Sequence, residues 1–205
     1  MTSSTIDKLT ELFNRFPGIG QRQAKRFVYF LLSQNDSFVK ELINLVIQVK
    51  QETKYCVVCF RLSTKITDNA CEICSDHKRD KTKLMIVAKD IDLENVEKSG
   101  VYDGCYFILG SLLPILEKNP EEKIRLRELI ERIENLSTGN LAEIIIALSA
   151  NTEGDYTAEY LGNYIASMAK DKQIKVSLLG RGLSTGTELE YSDSDTIRNA
   201  LKNRQ

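Results

Sequence analysis

Four of the five cysteines in this chain have the types and spacing of a metal site. They form two Cys-x-x-Cys pairs, Cys56 with Cys59 and Cys71 with Cys74, and each pair can turn two thiolates to one side. Four soft thiolates close a tetrahedral cage that suits structural zinc and leaves no ligand position open for catalysis. Buried thiols or a redox pair are the alternative, which the compact double spacing disfavours. The fifth, Cys105, is interpreted as a small buried residue at the start of a strand.

The only histidine, His77, follows the second pair within the cationic stretch HKRDKTK, residues 77–83. Because the four-thiolate cage is already full, we interpret His77 as a solvated loop residue. The stretch around it is interpreted as a polar linker. Its cations could also supply secondary phosphate contacts, and the sequence leaves both alternatives open.

The short sequence PGIG at 17–20 could hold an anion. Gly18 and Gly20 can adopt positive φ and leave their amides unscreened by a Cβ, while Ile19 between them can point into the core. A helix predicted to begin at about Gln21 would aim its free N–H groups and its positive dipole end at the same place. Loop and helix together predict an anion site.

Three cations flank this loop on one face of the predicted helix. Arg22, Lys25 and Arg26 recur at helical spacing, whereas Ala24 and Val28 lie on another, apolar face. A phosphate backbone could run beside cations placed in this way, and its binding would be independent of base sequence and sensitive to salt. The alternative is a glycine-rich turn with a solvated basic face.

Glu153 and Asp155 are a candidate carboxylate pair. They follow the predicted strand EIIIAL (143–148), and ligands bind at the carboxyl edge of parallel sheets. A carboxylate pair there could bind Mg²⁺ for phosphoryl chemistry, as in a nuclease or a primase-like enzyme. The alternative is an N-terminal helix cap, with the helix starting at Asp155 or Thr157 and the acids favouring its dipole.

The end of the first predicted strand of the sheet weighs against metal chemistry. Magnesium would favour a third carboxylate there, where the sequence instead has Ala88 and Lys89, and a lysine repels a cation. Asp90 and Asp92 lie slightly further along and keep the enzymatic alternative open. The lysine therefore disfavours magnesium chemistry at this edge of the sheet.

The elements that must position these groups fall into a helical part and a mixed part. Residues 6–52 show helical apolar spacing, interrupted at 17–20 and 33–36, which predicts three helices. Residues 54–81 are short, polar and cysteine-bearing. The remainder alternates strands and helices, which predicts a parallel sheet with helices on its faces. The predicted fold class is α+β, built from several modules.

The elements and modules of the chain can be placed by number. The predicted strands of the sheet are 84–88, 106–109, 143–148 and 175–179, and the predicted helices are 93–99, 121–136 and 157–170. The tail is predicted to hold a possible strand at 187–191 and a capped helix at 194–203. The predicted modules are 1–53, 54–80, 81–180 and 181–205.

Composition describes an ordinary globular chain of 205 residues with a net charge of −1. Such a charge gives nucleic acid no global attraction, so any binding must come from local clusters. No apolar run is long enough to span a bilayer, and the first residues lack the order of a secretory signal. We therefore expect a cytoplasmic protein.

The order of these parts resembles the RecR family of bacterial recombination mediators, over essentially the whole chain. That family combines a helix-hairpin-helix, a four-cysteine zinc module, a Toprim-like α/β domain and a C-terminal tail. The combination is specific, although each part alone is not. The stretches that carry it are FPGIGQRQAKRF, CVVCF with CEIC, SGVYDGCYFILG, NTEGDYTAEYL and GLSTGTELEYSDSDTIRNAL.

The resemblance implies a non-catalytic DNA clamp in recombinational repair. Such a clamp acts with RecO and RecF to load recombinase at single-strand gaps, which implies association with the nucleoid. It also implies a homo-oligomeric ring, typically a tetramer, closed by the N-terminal helices and the C-terminal tail. The zinc ligands implied are the four paired cysteines.

The resemblance further assigns binding roles to two groups of residues. The family's DNA-contacting cations fall on Arg22 and Arg26, beside the other hairpin residues. The acidic Toprim loop falls where the family meets RecO. The residues so assigned are Gly18, Gly20, Arg22, Lys25 and Arg26 for DNA, and Glu153 and Asp155 for RecO.

The sequence departs from the family's pattern in three places. Ala88 and Lys89 stand where acids are usual, the segment at 112–123 replaces a glycine-rich loop, and GLSTGT at 182–187 has fewer glycines. These changes bear on the Toprim partner surface and on ring closure. They touch neither the hairpin nor the paired cysteines.

Overall fold

The computed structural model describes residues 4–116, 119–183, 186 and 188–203. The chain divides into two compact units, Met1–Thr53 and Lys54–Gln205. The two divergent loops and the predicted tail strand lie partly outside the described residues. Along the described ranges, no helix combines the length and the apolar character that crossing a membrane requires.

Three helices form the first unit: α1 (Thr5–Phe13), α2 (Gln21–Ser33) and α3 (Asp36–Glu52). A capping box between Ser4 and Asp7 begins α1, because each residue's side chain accepts a hydrogen bond from the other's backbone N–H. The three helices and the two breaks between them confirm the sequence prediction.

α1 and α2 pack against each other, whereas α3 stays exposed along its length. The rings of Phe13 and Phe27 meet edge to face with centroids 5.8 Å apart, and Ala24 and Val28 of α2 are buried. Every residue of α3 is described and none is buried. Phe38 meets Phe30 of α2 edge to face at 6.0 Å, but the described residues leave most of the apolar face of α3 exposed.

The second unit begins with the cysteine module, residues 54–75, which is made of two small hairpins and one helical turn. Strand β1 (Lys54–Tyr55) pairs antiparallel with β2 (Leu62–Ser63), and β3 (Ile66–Thr67) pairs antiparallel with β4 (Ala70–Cys71). Helix α4 (Glu72–Ser75) follows directly.

A four-stranded parallel sheet forms the centre of the second unit, as the sequence predicts. Its strands are β5 (Asp80–Val87), β6 (Gly104–Ile108), β7 (Glu143–Ile146) and β8 (Lys175–Leu178). Their order across the sheet is β6-β5-β7-β8, so β6 and β8 are the edge strands. Four helices accompany the strands: α5 (Asp90–Ser99), α6 (Leu126–Ser137), α7 (Thr152–Asp171) and α8 (Ser194–Lys202).

The two faces of the sheet carry separate apolar cores because strand side chains alternate between faces. Leu84 and Ile86 belong to a larger core that includes residues of α6 and α7. Met85 and Val87 belong to a second core, together with Leu93 of α5 and three of the paired cysteines. The cysteine module thus covers part of one face of the sheet.

The helix predicted over 121–136 begins later than expected. Residues Pro120–Glu122 form a 3₁₀ turn, and α6 starts only at Leu126. Between them Ile124 is buried, and the N–H of Arg125 donates to the carbonyl of Leu109 at 3.1 Å. The helix is interrupted because these residues are anchored to the sheet. Charge and apolar periodicity do not indicate such an anchor.

α7 begins earlier than predicted. The side chain of Asn151 caps it by accepting a hydrogen bond from the N–H of Gly154 at 2.8 Å. A Cβ on Gly154 would lie 1.9 Å from the carbonyl oxygen of Ser149, so this turn requires a glycine. The predicted start at Asp155 or Thr157 is therefore wrong, and both residues lie inside the helix.

The cationic stretch interpreted as a linker is instead the approach to β5 and its first half. Arg79, with 15% of its side chain exposed, pairs with Glu97 of α5, and the Tyr106 hydroxyl donates to the same carboxylate at 2.6 Å. The linker interpretation is wrong because residues from Asp80 onward form β5 and Arg79 has a partner. A linear run of charges does not show which arginine is paired.

The tail differs from its prediction in its first part. Leu189–Tyr191 form a 3₁₀ turn, so the strand predicted at 187–191 is wrong over its described residues. The predicted helix is confirmed as α8. The carboxylate of Asp193 caps it by accepting from the N–H of Thr196 at 2.9 Å.

Candidate metal centre and nucleic-acid interface

The four paired cysteines converge into one cluster in the second unit. Their Sγ atoms all lie within 4.8 Å of one another, and those of Cys59 and Cys71 are 3.7 Å apart. Tetrahedral zinc with Zn–S bonds of about 2.3 Å holds its sulfurs about 3.8 Å apart. A disulfide would bring two sulfurs to about 2.05 Å, so these are free thiols at the spacing of a metal site.

Local backbone geometry turns both pairs inward. Phe60 has a left-handed backbone with φ 63°, which bends the chain directly after the first pair. Cys71 precedes α4 and Cys74 lies on its first turn, so both thiols face the same side. The amides of Val58 and Cys71 donate to Sγ of Cys56 at 3.4 and 3.3 Å, as expected around a ligating thiolate.

The cluster cannot hold four thiolates without a compensating cation. Hydrogen bonding with Cys59 lowers the pKa of Cys56, whereas hydrogen bonding with Cys56 raises the pKa of Cys74. Some of the sulfurs therefore carry charge only while their neighbours keep their protons. A divalent ion removes that conflict, because metal binding deprotonates all its thiol ligands.

His77 and Cys105 stand outside the cluster, as predicted. His77 is exposed and is not among the side chains that converge on the site. Cys105 is buried in the sheet core with 8% of its surface exposed. Neither residue changes the four-sulfur donor set.

Backbone and side-chain hydrogen bonds join the cysteine module to the sheet. The N–H of Ile108, on edge strand β6, donates to the carbonyl of Cys59 at 2.9 Å. The N–H of Leu62 donates to the carboxylate of Asp90 at 2.7 Å. The module thus occupies part of an otherwise open strand edge, and its order is coupled to that of β6.

Arg125 completes this junction, and sequence reasoning missed it. Its guanidinium lies 5.3 Å from the ring centroid of Tyr55 and 5.2 Å from that of Phe60, and it donates to the carbonyl of Ile108 at 3.0 Å. A Cβ on Gly110 would approach this guanidinium to 3.0 Å. No motif could have identified Arg125, which sits in a run of ordinary charges.

The hairpin between α1 and α2 confirms half of the glycine argument. Gly18 has φ 73°, a conformation that favours glycine, and the N–H of Ile19 closes the turn on the carbonyl of Phe16 at 3.1 Å. Gly20 has φ −81°, so the expectation of positive φ is wrong there. Ile19 is partly buried and holds the loop against the helices.

Gly20 is the N-cap of α2, and the first turn of this helix has no side-chain cap and no acid. The N–H groups of residues 21–23 therefore have no acceptor from an intrahelical bond or from a cap among the described residues. A Cβ on Gly20 would meet nothing within 4 Å. The space at Gly20 is therefore open, while Asp7 and Glu11 of α1 line the cleft beside Gln21.

The three hairpin cations are exposed around that helix end. Arg22, Lys25 and Arg26 all lie on the surface, and the only hydrogen bond among their described contacts joins Arg26 to Gln23 at 3.4 Å. Free amides, dipole and cations thus act on the same surface, which suits a phosphate backbone.

Glu153 and Asp155 lie on the first turn of α7, at the carboxyl edge of the sheet, and form what we call the acidic edge. Glu153 is exposed. Asp155 pairs with Arg181 of the loop after β8, and this hydrogen bond holds the pKa of the Asp155 carboxyl below its usual range.

The carboxylates of the magnesium alternative are not gathered. Asp90 accepts the N–H of Leu62, and Asp92 accepts the N–H of Lys89 at 2.9 Å. Within the described part of the chain, the four cysteines are the one group of three or more side chains able to share a metal ion. No observation in this region favours the nuclease alternative.

A helix-hairpin-helix unit followed by a cysteine module and a Toprim-type sheet defines a modular class of recombination protein. Family models match this organisation: a RecR helix-hairpin-helix over residues 6–49, a Toprim domain over 82–180 and a RecR C-terminal region over 182–205. The chain belongs to the RecR family.

Full-length relatives support the assignment. The recombination protein RecR of Rhodopirellula baltica is 33% identical over 203 residues, which cover 99% of this chain and 97% of the relative. That of Herpetosiphon aurantiacus is 34% identical over 206 residues, covering 100% and 96%. That of Streptococcus thermophilus is 35% identical over 199 residues, covering 97% and 96%.

Proposed function

We propose that this chain is a non-catalytic, DNA-binding mediator of recombinational repair. Membership of the RecR family implies the role in repair. The clamp mechanism, the partners RecO and RecF, and the loading of recombinase at single-strand gaps of the nucleoid belong to the proposal. The observation that carries it is the uncapped start of α2 beside three exposed cations.

In this mechanism the first unit holds DNA and the second unit holds partners. The free amides that follow Gly20 at the start of α2 receive a phosphate, while Arg22, Lys25 and Arg26 neutralise its neighbours along the strand. Binding is independent of base sequence because only the backbone is contacted. The modules that divide this work are 1–53, 54–80, 81–180 and 181–205.

Structural zinc is the metal we propose for the cysteine cluster. Four thiolates at the observed spacing suit its size and softness, and the closed donor set leaves no position for a substrate. When bound, zinc supplies cohesion to the module and no chemistry. Cys56, Cys59, Cys71 and Cys74 are the ligands.

A homo-oligomer, closing into a ring, is the proposed working form. Its support in this chain is the exposed apolar face of α3, which carries Leu42, Leu45, Val46 and Val49. The acidic edge of the second unit is the proposed RecO site, where exposed Glu153 and partly exposed Asp155 can meet a cationic surface.

The test is fluorescence anisotropy on gapped duplex DNA with Mg²⁺ present, titrated with salt. Arg22→Ala/Arg26→Ala is expected to lose at least about tenfold in affinity and to lower the salt slope by about two, one for each lost phosphate contact. The matched control is Lys40→Ala/Lys50→Ala, which removes two exposed cations of the same unit from α3.

Each outcome has a defined meaning. Equal losses of DNA affinity in both double variants would mean that bulk charge alone accounts for binding, and would contradict the hairpin site. DNA cleaved on a denaturing gel, with cleavage lost in Glu153→Ala, would contradict a non-catalytic role. For the partner site, Glu153→Ala is expected to weaken RecO binding and spare DNA binding, whereas Glu134→Ala on α6 serves as the charge-matched control.

A further inference from the structure

Asp155 is ion-paired within the chain, whereas Glu153, the other residue of the acidic edge, is exposed. The guanidinium of Arg181 donates to Oδ1 of Asp155. The side chain of Glu153 makes no ion pair in the part of the chain that the structure describes. A cation arriving from a partner therefore finds Glu153 accessible and must compete for Asp155.

Arg181 also anchors the C-terminal helix. Its backbone carbonyl accepts a hydrogen bond from Nδ2 of Asn203 at 2.7 Å, and Asn203 follows directly after α8. One residue thus holds the first turn of α7 with its side chain and the end of α8 with its backbone. Movement of the Arg181 loop would disturb both contacts together.

The ion pair stands at the common wall of two clefts. One cleft, of about 610 Å³, lies along α7, β8 and α8, and the other, of about 770 Å³, lies at the start of α7. Both are lined by Asp155, Arg181 and Asn199. Separation of Asp155 from Arg181 would open a single passage between α7 and α8.

We propose that the Asp155–Arg181 pair is a latch on the acidic edge, which a cationic segment of the partner opens by taking the place of Arg181, thereby loosening α8. The inference rests on the proposed function, in which the acidic edge binds a partner protein. It adds that the partner competes with the chain's own arginine and that the C-terminal helix responds to binding.

Exposure sets the size of the effect. The side chains of Asp155 and Arg181 are 56% and 34% exposed, and ion pairs this accessible to water are weak. The latch therefore tunes partner affinity by about two- to fivefold. Coupling between two contacts is reciprocal. If the partner weakens a contact that holds α8 in place, that contact weakens partner binding by an equal factor.

The experiment measures binding of the RecO protein of the same organism by calorimetry. Arg181→Ala is expected to bind about two- to fivefold more tightly than Lys175→Ala, which removes a cation from another exposed pair on β8. Asn203→Ala, which changes no charge, should also tighten binding. Asp155→Asn/Arg181→Ala should bind no more tightly than Asp155→Asn alone, because the competition requires Asp155.

A second readout needs no partner. Amide hydrogen exchange of residues 194–202 is expected to accelerate in Asp155→Asn, and in the wild type when RecO is bound. Unchanged exchange in both would overturn the latch. Loss of RecO binding in Glu153→Ala with Arg181→Ala equal to Lys175→Ala would overturn the latch alone, whereas binding unchanged in both Glu153→Ala and Asp155→Asn would overturn the partner site as well.

Discussion

The first unit and the sheet of the second unit place their apolar side chains in opposite ways. Strand β6 is buried at every position, and helices or the cysteine module cover residues on both faces of the sheet. No residue of helix α3 is fully buried, and Leu42, Leu45, Val46 and Val49 are 38–58% exposed. One region closes its core within the chain, and the other leaves an apolar helix face in water.

This difference separates two sources of stability. Isolated helices depend on packing of their apolar face, so in the proposed oligomer a second copy would add to the stability of α3. The sheet depends on its own core and on the cysteine cluster, three of whose members are buried in the core on one face. The stability of the first unit should therefore depend on protein concentration, and that of the second unit on bound metal.

The largest expected effect is loss of the metal. Cys71→Ser should release zinc and destabilise the second unit by at least about 5 kcal/mol, because the free energy of metal binding contributes directly to folding. The junction with Ile108 and Arg125 should loosen with it. Zinc content and urea unfolding of the second unit measure the change.

Cys105→Ala is the matched control, since it removes a buried thiol from the other core. It should retain the metal and cost only about 1–2 kcal/mol. A Cys71→Ser protein with full zinc and unchanged unfolding would show that the cluster is not a structural element.

The next effect concerns α3. Leu45→Glu is expected to weaken self-association by at least about a hundredfold, about 2.7 kcal/mol, because it introduces a charge on the uncovered apolar face. Sedimentation over a range of concentrations measures it. Asn44→Glu adds the same charge at an exposed polar position of the same helix and should leave assembly unchanged. Equal behaviour of the two variants would remove α3 from the interface.

Much of the fold follows from the sequence because its signals are local and repetitive. Short apolar runs such as residues 84–88, alternating with helical segments, predicted the sheet, and the spacing of the four cysteines predicted their cluster. Gly18 was predicted in the correct conformation. Boundaries were less accurate where tertiary contacts decide, as at Arg125, which is held by the sheet.

The residues that sequence reasoning missed act through distant partners. Arg181 and Asp155 are ion-paired across 26 positions, and Arg79 and Glu97 across 18. No pattern in a linear run of charges identifies which pairs meet. Gly154 was missed for a related reason, since only the approach of the Ser149 carbonyl makes a glycine necessary there.

A smaller effect is the pH dependence of the stability that Glu97 gives to the second unit. Burial opposes ionisation of Glu97, but hydrogen bonds from Arg79 and Tyr106 hold its pKa below the usual value. Its stabilising contribution is therefore complete above about pH 4.3, the ordinary glutamate value, and disappears as pH falls through the lowered pKa.

Glu97→Gln should cost about 2 kcal/mol at pH 7, because Arg79 loses its charged partner while mostly buried. The gap between variant and wild type should narrow below about pH 4. Urea unfolding at pH 7 and pH 3 measures it, with exposed Glu94→Gln on the same helix as control. A gap of constant size at both pH values would mean that packing, and not charge, accounts for the loss.

The smallest effect separates two glycines of the first unit. Gly18→Ala should destabilise the hairpin by about 1 kcal/mol, because φ 73° disfavours any side chain. Gly20→Ser should be neutral or slightly stabilising, because its backbone is ordinary, the space is open and serine caps helices well.

If a phosphate approaches the amides after Gly20, that serine should nevertheless weaken DNA binding, because its side chain fills the approach and accepts a hydrogen bond from the amide that the phosphate would use. Thermal unfolding and DNA anisotropy on both variants separate these roles. A Gly20→Ser protein that keeps full affinity would place the phosphate on the cations rather than on the helix end, and the hairpin would then serve only to hold α2 in position.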